Sequence, residues 1–341
     1  MTESRPAASL RILHAASSDR VSGSSRYICD LGQRQRDAGH AVGVALPRRG
    51  PGGSIYDSLP PGLEVLSMLG SPGWLGLARA IHDFRPDILH FHDGRGPRAI
   101  RWIPGHPPSV ITLHLGYKRA MKPADGLIRI ARWQEVSPYR GPVVDVANWR
   151  PAAPPRPQGE AQALRAALGV GPEQLLIGCV GRLHPQKGAA VLIDAMQRAP
   201  AKDVVLAFIG DGPDRASLMS LSQDDPRIRF LGHRTDVDAW YGAFDAFVTP
   251  SYSEHSPLVV LEAMAAGLPI AAAANPGSAE MLKGQPASLF PPGDAEALAA
   301  ILRDWAGVRP AHRAYDMSRF DPDRAAETIE AFYRKVIAAR R

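Results

Sequence analysis

The sequence predicts an α/β chain in two halves, each a mostly parallel sheet with helices on both faces. Three observations carry this. Apolar β-type runs alternate with amphipathic stretches along the whole chain, the pattern of parallel strands joined by crossover helices. A segment near the middle, Arg150-Pro-Ala-Ala-Pro-Pro-Arg-Pro-Gln158, has proline at four of nine positions. That composition suits neither a helix nor a central strand, and reads as an extended linker. The length of 341 residues is that of two ordinary domains.

In the first half, Leu10-Arg-Ile-Leu-His-Ala-Ala16 reads as a buried strand. A loop with Gly23 leads to a helix from about Ser24 to Ala38, which Gly39 stops. Ala41–Leu46, Asp87–Phe91 and Ser109–Leu113 are further strands. In the second half, strands are expected over Leu175–Val180, Val204–Ile209, Ile228–Leu231, Ala246–Thr249 and Pro269–Ala273. Helices are expected near Gly188–Arg198, Asp214–Ser222, Ala239–Ala243, Pro257–Ala266 and Ala295–Trp305, with a long terminal helix over Arg324–Arg341.

Apolar residues make up 45% of the chain and charged residues 22%, the balance of a globular protein with a sizeable core. Cys29 and Cys179 lie far apart, so no disulfide framework and a reducing compartment are expected. There is no run of 18 apolar residues, and Met1–Ser9 lack an apolar signal core. The expected location is cytoplasmic, or peripheral on the inner face of a membrane. Charge is uneven. Residues 1–150 hold 20 Lys/Arg against 12 Asp/Glu, and residues 151–341 hold 20 against 22. A basic first half fits an anionic partner or a surface tuned for solubility. Tyr117-Lys-Arg-Ala-Met-Lys122, continuing to Gly126–Trp133, mixes basic and apolar residues at roughly helical spacing. It reads as an amphipathic helix, either dipping into an anionic membrane surface or lying on its own core. No nucleic-acid module signature is present.

Ligands of open α/β sheets bind beyond the carboxyl ends of strands, and the chemistry-bearing motifs lie there. Val180-Gly-Arg-Leu-His-Pro-Gln-Lys-Gly188 follows a strand and opens a helix. Gly181 permits a tight turn, while Arg182 and Lys187 can meet a diphosphate near the helix start. The alternative is an ordinary strand-to-helix loop with exposed cations. Pro250–Pro269 follows the strand ending at Thr249 and places Glu254 in a loop and Glu262 on an apolar helix begun by Pro257. Leu258, Leu261 and Ala265 can face the core at helical spacing. A carboxylate at Glu262 needs a partner, either a ribose diol or a salt bridge. The helix start near Pro257 and Leu258 offers free amides to a phosphate. His90 and His92 alternate along a strand end, so that one faces each side or the second caps the strand. With His114 they make a thin metal set, and no metal is expected. His114 is open between a cleft residue and a core histidine.

Together the two segments resemble the retaining glycosyltransferases of family 4, which have the GT-B fold. The resemblance rests on Glu254-x7-Glu262, the Ala-Met-Ala-Ala-Gly-Leu-Pro269 that follows, the upstream Gly181-Arg-Leu…Lys187-Gly, and Asn275-Pro-Gly-Ser-Ala-Glu280. It extends through Ser22-Gly23-Ser24-Ser25, Ala38-Gly39-His40, Thr112-Leu-His114, Val136-Ser137 and Asn148. It implies two facing Rossmann-like domains with a deep cleft: 1–150, completed by a C-terminal helix crossing back over about 324–341, and 151–323. It further implies that the first is the acceptor domain and the second the donor domain.

The resemblance implies transfer of a hexose, with retention, from a UDP- or GDP-sugar to a hydroxyl acceptor, lipid-linked or of the lipopolysaccharide type. Arg182 and Lys187 would stabilise the leaving diphosphate in place of a metal, with no cofactor required. Glu254 would bind the donor sugar, Glu262 the ribose, and Gly23 and Gly181 would lie beside the phosphates. His255 and Ser256 would tune sugar choice, and His114 would position the sugar. Two other readings are an epimerase or hydrolase of nucleotide sugars, and a non-catalytic partner subunit.

Overall fold

Strands of a parallel sheet are covered on both faces, so each must be apolar on both. Val-Gly-Val-Ala-Leu, Ile-Leu-His-Phe and Ser-Val-Ile-Thr-Leu meet that demand. The computed structural model describes residues 9–20, 23–50, 54–68, 73–150, 157, 159–199 and 203–340. The linker read over Arg150–Gln158 falls almost wholly outside these residues, as does Ser22. The chain divides into two units, residues 1–147 with 322–341, and residues 148–321. Asn148, Trp149 and Arg150, read from sequence with the first half, therefore group with the second unit.

The first unit carries β1 (Arg11–Ala15), α1 (Gly23–Asp37), β2 (Ala41–Leu46), β3 (Glu64–Ser67), α2 (Gly73–Phe84) and β4 (Ile88–Phe91). Next come α3 (Arg95–Ile100), β5 (Ser109–Leu113), β6 (Gly126–Arg129) and β7 (Val143–Asp145). The sheet is parallel in the order β3-β2-β1-β4-β5-β6-β7. Ile12 pairs in register with Val42 on one side and Ile88 on the other. Order therefore reverses between β1 and β4. The C-terminal helix (Pro322–Arg340) buries Phe332, Tyr333 and Val336 in this unit. A Cβ at Gly126 would stand 2.8 Å from the Phe332 ring, so glycine there lets that helix lie close to β6.

The amphipathic helix expected over Tyr117–Trp133 is not formed. Residues 126–129 are β6, between β5 and β7, with Leu127 and Ile128 fully buried. Consecutive apolar residues mark a strand covered on both faces, which short-range periodicity does not separate from a helix. Arg119–Met121 make only a 3-10 turn, and the Arg129 guanidinium binds Asp145 with Nε 2.6 Å from Oδ1.

The second unit carries α4 (Glu160–Ala167), β8 (Leu175–Val180), α5 (Ala189–Arg198), β9 (Val204–Ile209), α6 (Arg215–Leu221), β10 (Ile228–Phe230) and α7 (Val237–Ala243). It continues through β11 (Ala246–Thr249), α8 (Leu258–Ala265), β12 (Ile270–Ala273), α9 (Pro276–Met281), β13 (Ser288–Phe290) and α10 (Ala295–Gly307). Its parallel sheet runs β10-β9-β8-β11-β12-β13, reversing between β8 and β11. On α8, Leu261 is buried as expected, but Leu258 is only half-buried and Ala265 is exposed. Val260, Ala263 and Met264 are buried instead. A helix covered nearly all round carries no single apolar stripe.

Among the described residues no helix is long and apolar enough to cross a membrane. A Cβ at Gly178 on β8 would stand 2.2 Å from the buried Phe244 ring. Gly178→Ala should therefore destabilise the second unit by ~1–3 kcal/mol, read as a lower midpoint in urea unfolding.

Candidate functional site

The two motifs of the second half meet at the carboxyl ends of β8 and β11, where the strand order reverses. After β8 the chain turns at Gly181, with φ 153°. Arg182 is exposed and makes no ion pair among the described residues. A 3-10 turn over Pro185–Lys187 is capped by His184, whose imidazole accepts from the Gln186 amide at 3.3 Å. Gly188 follows at φ 67°, and a Cβ there would stand 2.2 Å from the Pro250 carbonyl oxygen. That absence of a side chain, with Tyr252 N donating to Gln186 O at 2.9 Å, seats one loop directly on the other.

The result is a salt bridge. Lys187 Nζ lies 2.6 Å from Glu254 Oε1, with the Glu254 side chain 12% exposed. The Glu254 loop is supported from below by the turn after β12. A Cβ at Gly277 would meet the Glu254 carbonyl oxygen at 2.4 Å. Asn275 Nδ2 donates to Ser251 O at 2.9 Å, and its Oδ1 accepts from Ser278 N at 3.0 Å, capping α9. Gly181, Arg182, Lys187, Thr249, Ser251, Glu254 and Val259 line a single recess here. One guanidinium without an ion pair among the described residues, one paired ammonium and two hydroxyls line it, a set that suits an oxyanion.

Glu262 lies one helix turn beyond and is 8% exposed. Its Oε1 is 2.9 Å from Arg150 Nη1, and its Oε2 accepts from the Tyr241 hydroxyl at 2.7 Å. Burial first, and the adjacent Glu262 charge second, push the Tyr241 hydroxyl well above its ordinary pKa, so it stays a donor. Glu262 thus makes the salt bridge that was one of its readings from sequence. Asn148 Nδ2 donates to Ser256 O at 3.1 Å in the same buried region.

The histidines of the first unit form a hydrogen-bonded chain. His90 and His92 do not face opposite sides: residues two apart on a strand share a face, and their ring centroids are 4.2 Å apart. Gln35 Oε1 meets His14 Nε2 at 2.7 Å, His14 Nδ1 meets His92 Nε2 at 2.9 Å, and His92 Nδ1 meets His114 Nε2 at 3.2 Å. Each contact needs one donor and one acceptor, so the tautomers are set together. With the Gln35 oxygen toward His14, each Nε2 carries the proton and His114 Nδ1 is left as an acceptor. Gln35 Nε2 also donates to the Tyr333 hydroxyl at 3.2 Å, and that hydroxyl lies 2.6 Å from His90 Nδ1. Ligand atoms of His14, His90 and His92 lie within 4.8 Å of one another, a spacing a metal could use, but these hydrogen bonds already occupy the nitrogens.

Comparison with known proteins matches both units. The description "Glycosyl transferases group 1" covers residues 174–306, and "Glycosyltransferase Family 4" covers residues 21–140. The chain belongs to the family 4 glycosyltransferases. It is 37% identical over 154 residues to the sulfoquinovosyl transferase SQD2 of Arabidopsis thaliana, covering 43% of this chain and 30% of that one. It is 32% identical over 213 residues to a D-inositol 3-phosphate glycosyltransferase of Mycobacterium marinum, covering 58% and 44%. The chain thus spans under half the length of either relative. The crystal structure of Anabaena HepE with UDP and glucose is similar over 96% of both chains, with a TM-score of 0.72 and 21% identity. That likeness shows the GT-B fold.

Within the second unit, Gly181, Arg182, Lys187 and Glu254 come together. His255 and Ser256 follow in the same loop, Pro257 sits just before α8 and Leu258 is its first residue. Gly23 is the first residue of α1, and His114 is half-buried beyond β5; both lie in the first unit. Sequence reasoning missed Arg150 and Tyr241 as the partners of Glu262, and His14, Gln35 and Tyr333 as those of the histidines. No local signal marks them, since they come from 21 to 243 residues away. Gly188 and Gly277 were legible as glycines beside motif residues, but their packing role was not.

Two outcomes follow. Arg150→Ala leaves the buried Glu262 carboxylate without its cation, and should cost ~3–5 kcal/mol in denaturant unfolding. Burial lowers the His14 pKa to about 4 and holds His90 and His92 well below 6.5. Between these values the unfolded chain binds more protons than the folded one, so stability is full above pH 6.5 and falls as pH drops toward 4. A urea midpoint of the first unit that is flat from pH 7 to 4 would contradict this.

Proposed function

We propose that the chain transfers a sugar from a nucleotide-diphosphate sugar to a hydroxyl acceptor, with retention at the anomeric carbon. The observation that carries this is the convergence of Arg182, Lys187 and Glu254 in one recess at the strand-order reversal of the second sheet. UDP is the first nucleotide to test, because a structure of the same fold holds UDP and glucose. Arg182, whose charge is uncommitted, would fork onto the diphosphate. Lys187 would add a second charge, and the two would stabilise the leaving group without a metal. Glu254 would orient the sugar hydroxyls while holding Lys187 in place. Glu262 would keep its pairing and accept from the ribose hydroxyls as well. His114, which burial holds neutral, keeps Nδ1 as an acceptor for a hydroxyl. The leaving phosphate itself would take the acceptor proton, so no protein nucleophile is assigned. The excess of Lys/Arg before residue 150 supports an anionic acceptor and a place on the inner face of a membrane.

The test combines binding and turnover. UDP should raise the melting temperature of the intact chain, since a ligand that binds only the folded state stabilises it. Arg182→Ala and Lys187→Ala should each cut transfer by roughly two to three orders of magnitude with the fold retained. Glu254→Gln should loosen Lys187 and lower turnover as well. Wild-type rates in all three would remove the assignment.

A further inference from the structure

The first unit holds a second concavity that none of the roles above uses. It is a cavity of about 450 Å³, within the roughly 300–1,000 Å³ common for small-molecule sites. Ala15–Ser17 at the end of β1 and Phe91 and Asp93 at the end of β4 form one side, so it opens where the order of the first sheet reverses. Open α/β sheets bind ligands at that place.

Its chemistry is divided. Trp74 and Leu77 on α2, with Met68 and Phe91, make an apolar body. Arg95 and Arg98 on α3 also line it, exposed, and neither side chain has a hydrogen bond or ion pair among the described residues. Trp102 beside them is 68% exposed. The carboxylate of Asp93 is already spent: its Oδ2 accepts from Ser17 N at 2.5 Å and its Oδ1 from Arg95 N at 2.9 Å. A sugar or nucleoside placed in the body would find few partners for its hydroxyls, and unpaired buried hydroxyls are costly. An alkyl or isoprenoid chain has no such need. Two unengaged guanidiniums match a phosphate or carboxylate through paired hydrogen bonds.

We propose that this pocket binds one molecule of an anionic amphiphile, its apolar chain among Trp74, Leu77 and Met68 and its charged group on Arg95 and Arg98. Read with the proposed function, on which this clause rests, that amphiphile is the acceptor.

The probe is dodecyl phosphate below its micelle concentration, titrated into the intact chain by calorimetry and tryptophan emission. The expected result is saturable one-to-one binding, weakened at least about tenfold in the double substitution Arg95→Ala/Arg98→Ala. Both side chains are exposed, so the variant should fold. Dodecyl maltoside, with the same chain and no charge, and inorganic phosphate, with the charge and no chain, should each bind at least about tenfold more weakly. Equal binding by either, or no effect of the double substitution, overturns the proposal. So does binding confined to anionic phospholipid vesicles, which would mark a surface patch instead. The UDP melting shift separates the two readings. An unchanged shift in the double variant, with amphiphile binding lost, supports the pocket. A wild-type chain that binds dodecyl phosphate but not UDP removes the donor reading alone.

Discussion

Both units depend on one constraint: a parallel sheet flanked by helices buries each central strand on both faces. Ile12, Leu13, Val44, Leu89, Ile177, Phe247 and Ile270 are at most 1% exposed. Polar side chains on such strands survive only where they find one another. His14, His90 and Thr112 do so, closing a network with Gln35, His92 and Tyr333. Gly181, Arg182, Lys187 and Glu254 instead stand in loops beyond the carboxyl ends of β8 and β11. The strand-order reversal then decides which loops diverge enough to leave a concavity between them.

In the second unit that concavity is shaped by what is absent. Gly188 and Gly277 each stand where a single methyl group would strike a carbonyl oxygen, of Pro250 and Glu254 respectively. Their closeness is what places Lys187 on Glu254. The pairing has an electrostatic consequence. The Lys187 charge is largely answered within the protein, so the uncommitted positive charge at the recess is that of Arg182.

Elsewhere the buried charges are settled by partners remote in sequence. Glu262 is held by Arg150 at the start of the linker segment and by Tyr241 from α7. The tautomers of three histidines are set through Gln35, whose amide is itself held by Tyr333 on the C-terminal helix. A change on that helix can thus reach His114 through hydrogen bonds alone, without altering any residue beside it.

Strands such as Leu175–Val180 and Ala246–Thr249 were legible end to end, because unbroken apolar runs between turn residues admit few other structures. The same reading failed at residues 126–129, where a short apolar run among basic residues fitted a helix equally well, and it passed over short or half-exposed elements such as β3 and β7. The residue types of the second unit's recess were also readable: Gly181, Arg182, Lys187 and Glu254 stand where strands end, and local spacing shows that much. The tertiary structure alone decided that Lys187 and Glu254 form a pair, that Glu262 is occupied by Arg150 and Tyr241, and that His90 and His92 share a face with His14. Those contacts join segments 21 to 112 residues apart, and sequence periodicity describes only the face a residue presents. The group that meets it there is fixed by the packing of distant elements.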